Sequence, residues 1–228
     1  SGLEKVSGEA YAGGFAGKAD AGSTASSDGL KLLGGILDLN IGALLNVLEV
    51  YVPTLTWAGV ESAPKGFTVS ASDPDGSAGG YMGRGSGVQI KNSDVTSLKH
   101  TKVTPPSDSL ESDEGSSYFG TDSSYAVTGG NYAGGYIGCA DIGSAAKAGG
   151  GLGLLGDSIR LDDVLSALDV TATKIENSHV TGCVGGYSVL ADGTDAGGKV
   201  IGKAGGYAGE SSGAQIKNSD AVNFAYII

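Results

Sequence analysis

The chain has 228 residues, a net charge of −11, 42 glycines and only two arginines, Arg84 and Arg160. Phosphate recognition needs clustered cations, so neither nucleic-acid binding nor adsorption to an anionic membrane is expected. The 40% hydrophobic content is too high for a disordered tail, the glycines lack the three-residue period of collagen, and no apolar run is long enough to span a bilayer.

The chain opens Ser-Gly-Leu, with no signal peptide, and closes on the apolar "NFAYII". These read as the two ends of a piece of a longer polypeptide. The first informative segment, "VSGEAYAGGFAGKADAGS" at 6–23, returns as "VTGGNYAGGYIGCADIGS" at 127–144. Ile41, Leu44, Leu45 and Leu48 then fall at i, i+3, i+4 and i+7, which predicts one apolar face of a short helix. Leu161, Val164, Leu165 and Leu168 repeat that spacing, with Asp162 or Asp163 placed to cap it. Packing on the flank of the fold is the expected role of each helix. "GFTVSA" at 66–71 returns as "GYSVLA" at 186–191, and "QIKNSD" occurs at 89–94 and again at 215–220. The chain is therefore two tandem copies of roughly 120 residues. Residues 1–97 form the first unit and 126–228 the second, and 98–125, rich in Pro, Ser and acid, are a surface excursion or linker.

A finer pattern runs inside each copy. "IENSHVTGCVGGY" at 175–187 has the form Ile-x-Asn-Ser-x-Val-x-Gly followed by Gly-Gly-aromatic. Ile and Val suit short strands, Asn-Ser makes a compact corner because Asn tolerates left-handed backbone, and Gly-Gly permits sharp turns and close backbone approach. Stacked coils would superimpose these positions, and one coil alone cannot bury its inner face. The expected fold is all-β: one continuous parallel, right-handed β-solenoid with a short helical insertion in each of the two copies. A pair of two-sheet sandwiches is the structural alternative.

These glycine-rich segments resemble the GLUG motif, a repeat of bacterial cell-surface proteins that include large adhesins. The resemblance covers about half the chain in degenerate pieces. It implies an extracellular, cell-surface location and a stalk or adhesion role. The expected partners are a host glycan or protein ligand and neighbouring repeats of the same polypeptide.

No catalytic, cofactor-binding or metal-binding residue is assigned, and no cofactor is expected. His100 lies in the linker, and His179 occupies a corner position where Asp94 and Asp220 stand elsewhere, so it should face solvent. A polysaccharide lyase or hydrolase would need a cationic cleft or converging carboxylates, and the acids here are scattered. Asp73 and Asp75, and Asp192 and Asp195, sit in glycine-containing loops that could bind calcium, but an ordinary Asp/Gly turn is favoured. Cys139 and Cys183 make no zinc set and read as buried free thiols, with a disulfide between coils the alternative. Tyr81, Tyr136, Tyr187 and Tyr207 follow Gly-Gly and read as core or stacked residues. Trp57, the single tryptophan, aligns with the corner residue Asn177. It is expected to tuck into the core; an exposed position would instead let it stack on a sugar, as in a glycan-binding module.

Overall fold

The computed structural model describes residues 3–23, 50–61, 65–99, 124–142 and 172–228. The helices expected at 41–48 and 161–168 lie outside these, as do His100 and Arg160. Every regular element among the described residues is a β-strand, and no helix there is long and apolar enough to cross a membrane.

The strands stack as a parallel β-solenoid with five faces. The first face holds Lys5–Gly8, Thr68–Ala71, Val127–Gly129, Tyr187–Ala191 and Phe224–Ile227. The second holds Tyr11–Gly13, Ser77–Gly79, Tyr132–Gly134 and Lys203–Gly205. The third holds Ala16–Asp20, Met82–Ser86, Ile137–Asp141 and Ala208–Ser211. The fourth holds Thr54–Thr56, Gln89–Lys91, Lys174–Glu176 and Gln215–Lys217, and the fifth Val60–Glu61, Val95–Leu98, Val180–Gly182 and Ala221–Val222. Four coils result, with Phe224–Ile227 lying where a fifth would begin. The parallel pairing within every face rules out the sandwich alternative.

The repeated hexapeptide now has a physical explanation. Ile90 pairs in register with Ile175, and Ile175 with Ile216. Both "QIKNSD" segments therefore run along the fourth face of alternate coils, with "KIENSH" of the third coil between them. Leu55 of the first coil completes the row. Val60, Val95, Val180 and Ala221 form a second row, and Val69, Val127, Val189 and Ile227 a third. Ile90 and Ile175 are wholly buried, whereas Ile216 in the last coil is 36% exposed.

The motif Ala-Gly-Gly-aromatic-x-Gly makes the turn from second to third face. Its strands run backbone against backbone: a Cβ on Gly138 would lie 2.5 Å from the Gly83 carbonyl oxygen and 2.7 Å from that of Ala78. Only glycine permits this approach. The aromatic of each motif points inward and stacks on the next. Phe15, Tyr81, Tyr136 and Tyr207 have ring centroids 5.1, 4.9 and 4.8 Å apart, with planes within 8° of parallel. Tyr187 follows Gly-Gly too but belongs elsewhere. It starts a first-face strand after Gly186, whose φ is +84°, and is buried outside the stack.

In the first and third coils the chain departs between third and fourth faces, and each departure is closed at its base. In the first coil, Gly22–Ser23 pairs antiparallel with Val50–Tyr51. In the third, the buried Thr173 hydroxyl donates to the Asp141 carbonyl (2.6 Å) and accepts the Gly87 N–H (2.8 Å).

Three substitutions test this stacking by urea unfolding. Gly138→Ala must push backbone apart and should destabilise by about 3 kcal/mol. Ile175→Ala should cost about 3 kcal/mol, but Ile216→Ala in the same row, half exposed, only about 1 kcal/mol.

Candidate functional site

The corner between fourth and fifth faces presents Trp57, Asn177 and Asn218 to solvent. After each fourth-face strand comes a residue with left-handed backbone: Trp57 (φ 57°), Asn92 (51°), Asn177 (48°) and Asn218 (47°). Asparagine enters this region at little cost, and a bulky aromatic does not. Asn177 Nδ2 donates to Asn92 Oδ1 at 3.3 Å, linking two coils along the ridge.

The next row holds the corner from within. The Ser93 hydroxyl donates to the Lys91 carbonyl (2.9 Å) and accepts the Ala58 N–H of the preceding coil (3.1 Å). Ser178 repeats the arrangement, donating to the Glu176 carbonyl (2.9 Å) and accepting the Ser93 N–H (3.2 Å). Ser219 does the same towards the Lys217 carbonyl and the Ser178 N–H. The tyrosine stack reaches this corner across the core. Tyr136 Oη donates to the Ser93 carbonyl (2.6 Å) and Tyr207 Oη to the Ser178 carbonyl (2.9 Å). Burial pushes the phenols of Tyr136, Tyr187 and Tyr207 well up. That of Tyr81 is pushed up to about 12 by burial, offset in part by the Ser93 hydroxyl.

A third row carries charge. The His179 N–H donates to Asp94 Oδ1 (2.8 Å), and His179 Nδ1 lies 2.6 Å from Asp220 Oδ1. His179 is therefore held between two acids at a corner where its side chain remains 43% exposed. Lys91 pairs with Glu176 at 3.1 Å on the other flank, an exposed contact of small energetic value.

Trp57 requires a correction. It is 78% exposed, not tucked into the core. Its alignment with Asn177 placed it correctly, and corner geometry overrode the tendency of tryptophan to be buried. Its N–H donates to the Lys91 carbonyl (3.1 Å), which keeps the corner backbone in place while the ring projects.

The other singled-out residues are dispersed. Asp73 Oδ1 accepts the Asp75 N–H (2.9 Å), and Asp75 Oδ1 accepts Asn131 Nδ2 (2.9 Å). Asp195 Oδ1 accepts the N–H groups of Gly197 and Lys199. Asp73 and Asp195 thus brace turns, and Asp75 links two coils. Asp73 and Asp192 do come together, lining a cleft of about 430 Å³ with Ser70, Ser72, Pro74 and Thr128. Among the described residues no group of three His, Cys, Asp or Glu could hold a metal ion. Cys139 is buried and Cys183 half-buried, and neither is in a disulfide. Arg84 is bound to Asp141 at 2.7 Å, and although burial opposes its charge, that carboxylate holds the guanidinium above its ordinary range. No known family model, curated protein or solved structure matches the chain.

Two outcomes are expected. Trp57→Asn restores the corner residue of the other coils and should raise stability by about 1 kcal/mol in urea unfolding. For the tyrosines, burial disfavours ionisation in the folded state only. Their contribution is intact below pH 10, where the unfolded phenol is protonated, and is lost as pH climbs through the raised values. Stability should therefore fall from about pH 10, with the share of Tyr81 spent by about pH 12. Tyr81→Phe should make that alkaline decline shallower.

Proposed function

We propose that this chain is a non-catalytic, extracellular segment of a bacterial surface protein, a stalk or repeat module that holds or supplies a binding surface away from the cell. The observation that carries the proposal is the register. Parallel pairing continues through four coils on each of the five faces, with local register shifts at Val95–Leu98 and Tyr187–Ser188, which is the construction of a stiff support. Its mechanism is passive. Stacked coils give rigidity, excursions and corners present recognition groups, and the net charge of −11 keeps the exterior hydrated. The likeness of "YAGGYIG" and "IENSHVTGCVGGY" to GLUG repeats supports the surface location. The coils at either end of this stack would pair with neighbouring repeats of the same polypeptide.

The pairing of His179 with Asp220 on an exposed corner, and of Arg84 with Asp141, favours structural over catalytic roles for these groups. A second reading, a module that itself binds glycan, is favoured by the exposure of Trp57.

Antibodies raised against the purified chain should label intact cells of the bacterium that makes it, and brief protease treatment of those cells should strip the label. Labelling that appears only after lysis would overturn the proposal.

A further inference from the structure

The side chain of Trp57 does little for the fold at its own position. Its ring is 78% exposed, so it gains little from burial, and its φ of 57° is unfavourable for an aromatic residue. Asparagine occupies the same corner in the other three coils at nearly the same φ. A residue that loses on both counts has its use outside the folded chain, in contact with a partner.

The surroundings specify the chemistry. Along the ridge from Trp57 come Asn92, Asn177 and Asn218, one per coil and about 4.8 Å apart by strand spacing. A carboxamide both donates and accepts hydrogen bonds, as a sugar hydroxyl does. A pyranose presents an apolar C–H face to an aromatic ring and a rim of hydroxyls to polar groups. One projecting indole followed by a row of amides matches both surfaces. A ring on a convex corner touches one side of its ligand and cannot enclose it, so a chain lying on the ridge fits better than a single sugar. The net charge of −11 repels uronate and sulfate polymers.

We propose that the ridge formed by Trp57, Asn92, Asn177 and Asn218 binds a neutral, extended polysaccharide, with the indole stacked on one sugar and the amides bonded to sugars farther along. This rests on the chain being a surface-exposed module, and it adds a ligand that a plain stalk does not need. The test uses purified protein, so its outcome is independent of cell location: absence of sugar binding leaves the stalk proposal standing, and an intracellular location leaves the binding result standing.

Trp57 is the sole tryptophan, so intrinsic fluorescence reports directly from the site. The probes are hexasaccharides of β-1,4-glucose and β-1,4-N-acetylglucosamine, with a galacturonate hexasaccharide as the anionic control. At least one neutral probe should shift the Trp57 emission saturably, and the anionic probe should not. By calorimetry, Trp57→Asn should weaken that binding about tenfold or more while its melting temperature does not fall. Asn177→Ala, which leaves the indole in place, should weaken it by a smaller factor. The proposal is overturned if neither neutral probe alters the emission at millimolar concentration. Equal binding by Trp57→Asn, or tighter binding of the anionic probe, would also overturn it.

Discussion

In-register parallel stacking is the constraint on which everything else here depends. Each strand must satisfy its backbone donors and acceptors with the strands above and below, so equivalent residues lie directly over one another. A row then has to be made of groups that tolerate their own kind at about 4.8 Å. Branched aliphatics meet this by packing, serines by donating within one coil and accepting from the one before, and aromatic rings by lying face to face. The ring spacings of 4.8 to 5.1 Å are close to the strand spacing itself, so the stack needs no distortion of the backbone.

The glycine motif makes the coil narrow, and the tyrosines exploit that narrowness. With the second and third faces in backbone contact, the turn between them sends one aromatic per coil across the interior. The hydroxyls of Tyr136 and Tyr207 reach the Ser93 and Ser178 carbonyls beside the opposite corner. The buried polar atom of the ring and the corner carbonyl satisfy each other. The exposed ridge is thereby braced from inside, and its outward groups project from a fixed backbone.

Much of this was legible in the sequence because stacking writes itself as repetition. The recurrence of Ile, Asn-Ser and Val foretold the rows of Ile90 with Ile175 and of Ser93 with Ser178, and the copy alignment put Trp57 on a corner. What sequence misjudged was the exposure of that tryptophan, since apolarity argues for burial and only local geometry argues against it. Gly-Gly-Tyr proved ambiguous for a different reason. The same tripeptide serves a turn at Tyr81 and the entry to a strand at Tyr187, and the residues that follow, Met-Gly or Ser-Val, carry the distinction. Asp73 and Asp195 were correctly suspected of being turn residues, because each holds an N–H two residues ahead. Phe15 went unnoticed as the first ring of the stack, although "AGGFAG" matches "AGGYIG" at every position but two, with one aromatic replacing another at the first of them.

The departures between third and fourth faces occur in the first and third coils, while the second and fourth pass directly from Ser86 to Gln89 and from Ser211 to Gln215. The two departures are closed by different means, an antiparallel pair of Gly22–Ser23 with Val50–Tyr51 in one and the Thr173 hydroxyl in the other. What the scaffold asks of an inserted segment is only that the strands on either side still find their partners in the neighbouring windings, so the outline of such a molecule can change while its interior rows stay the same.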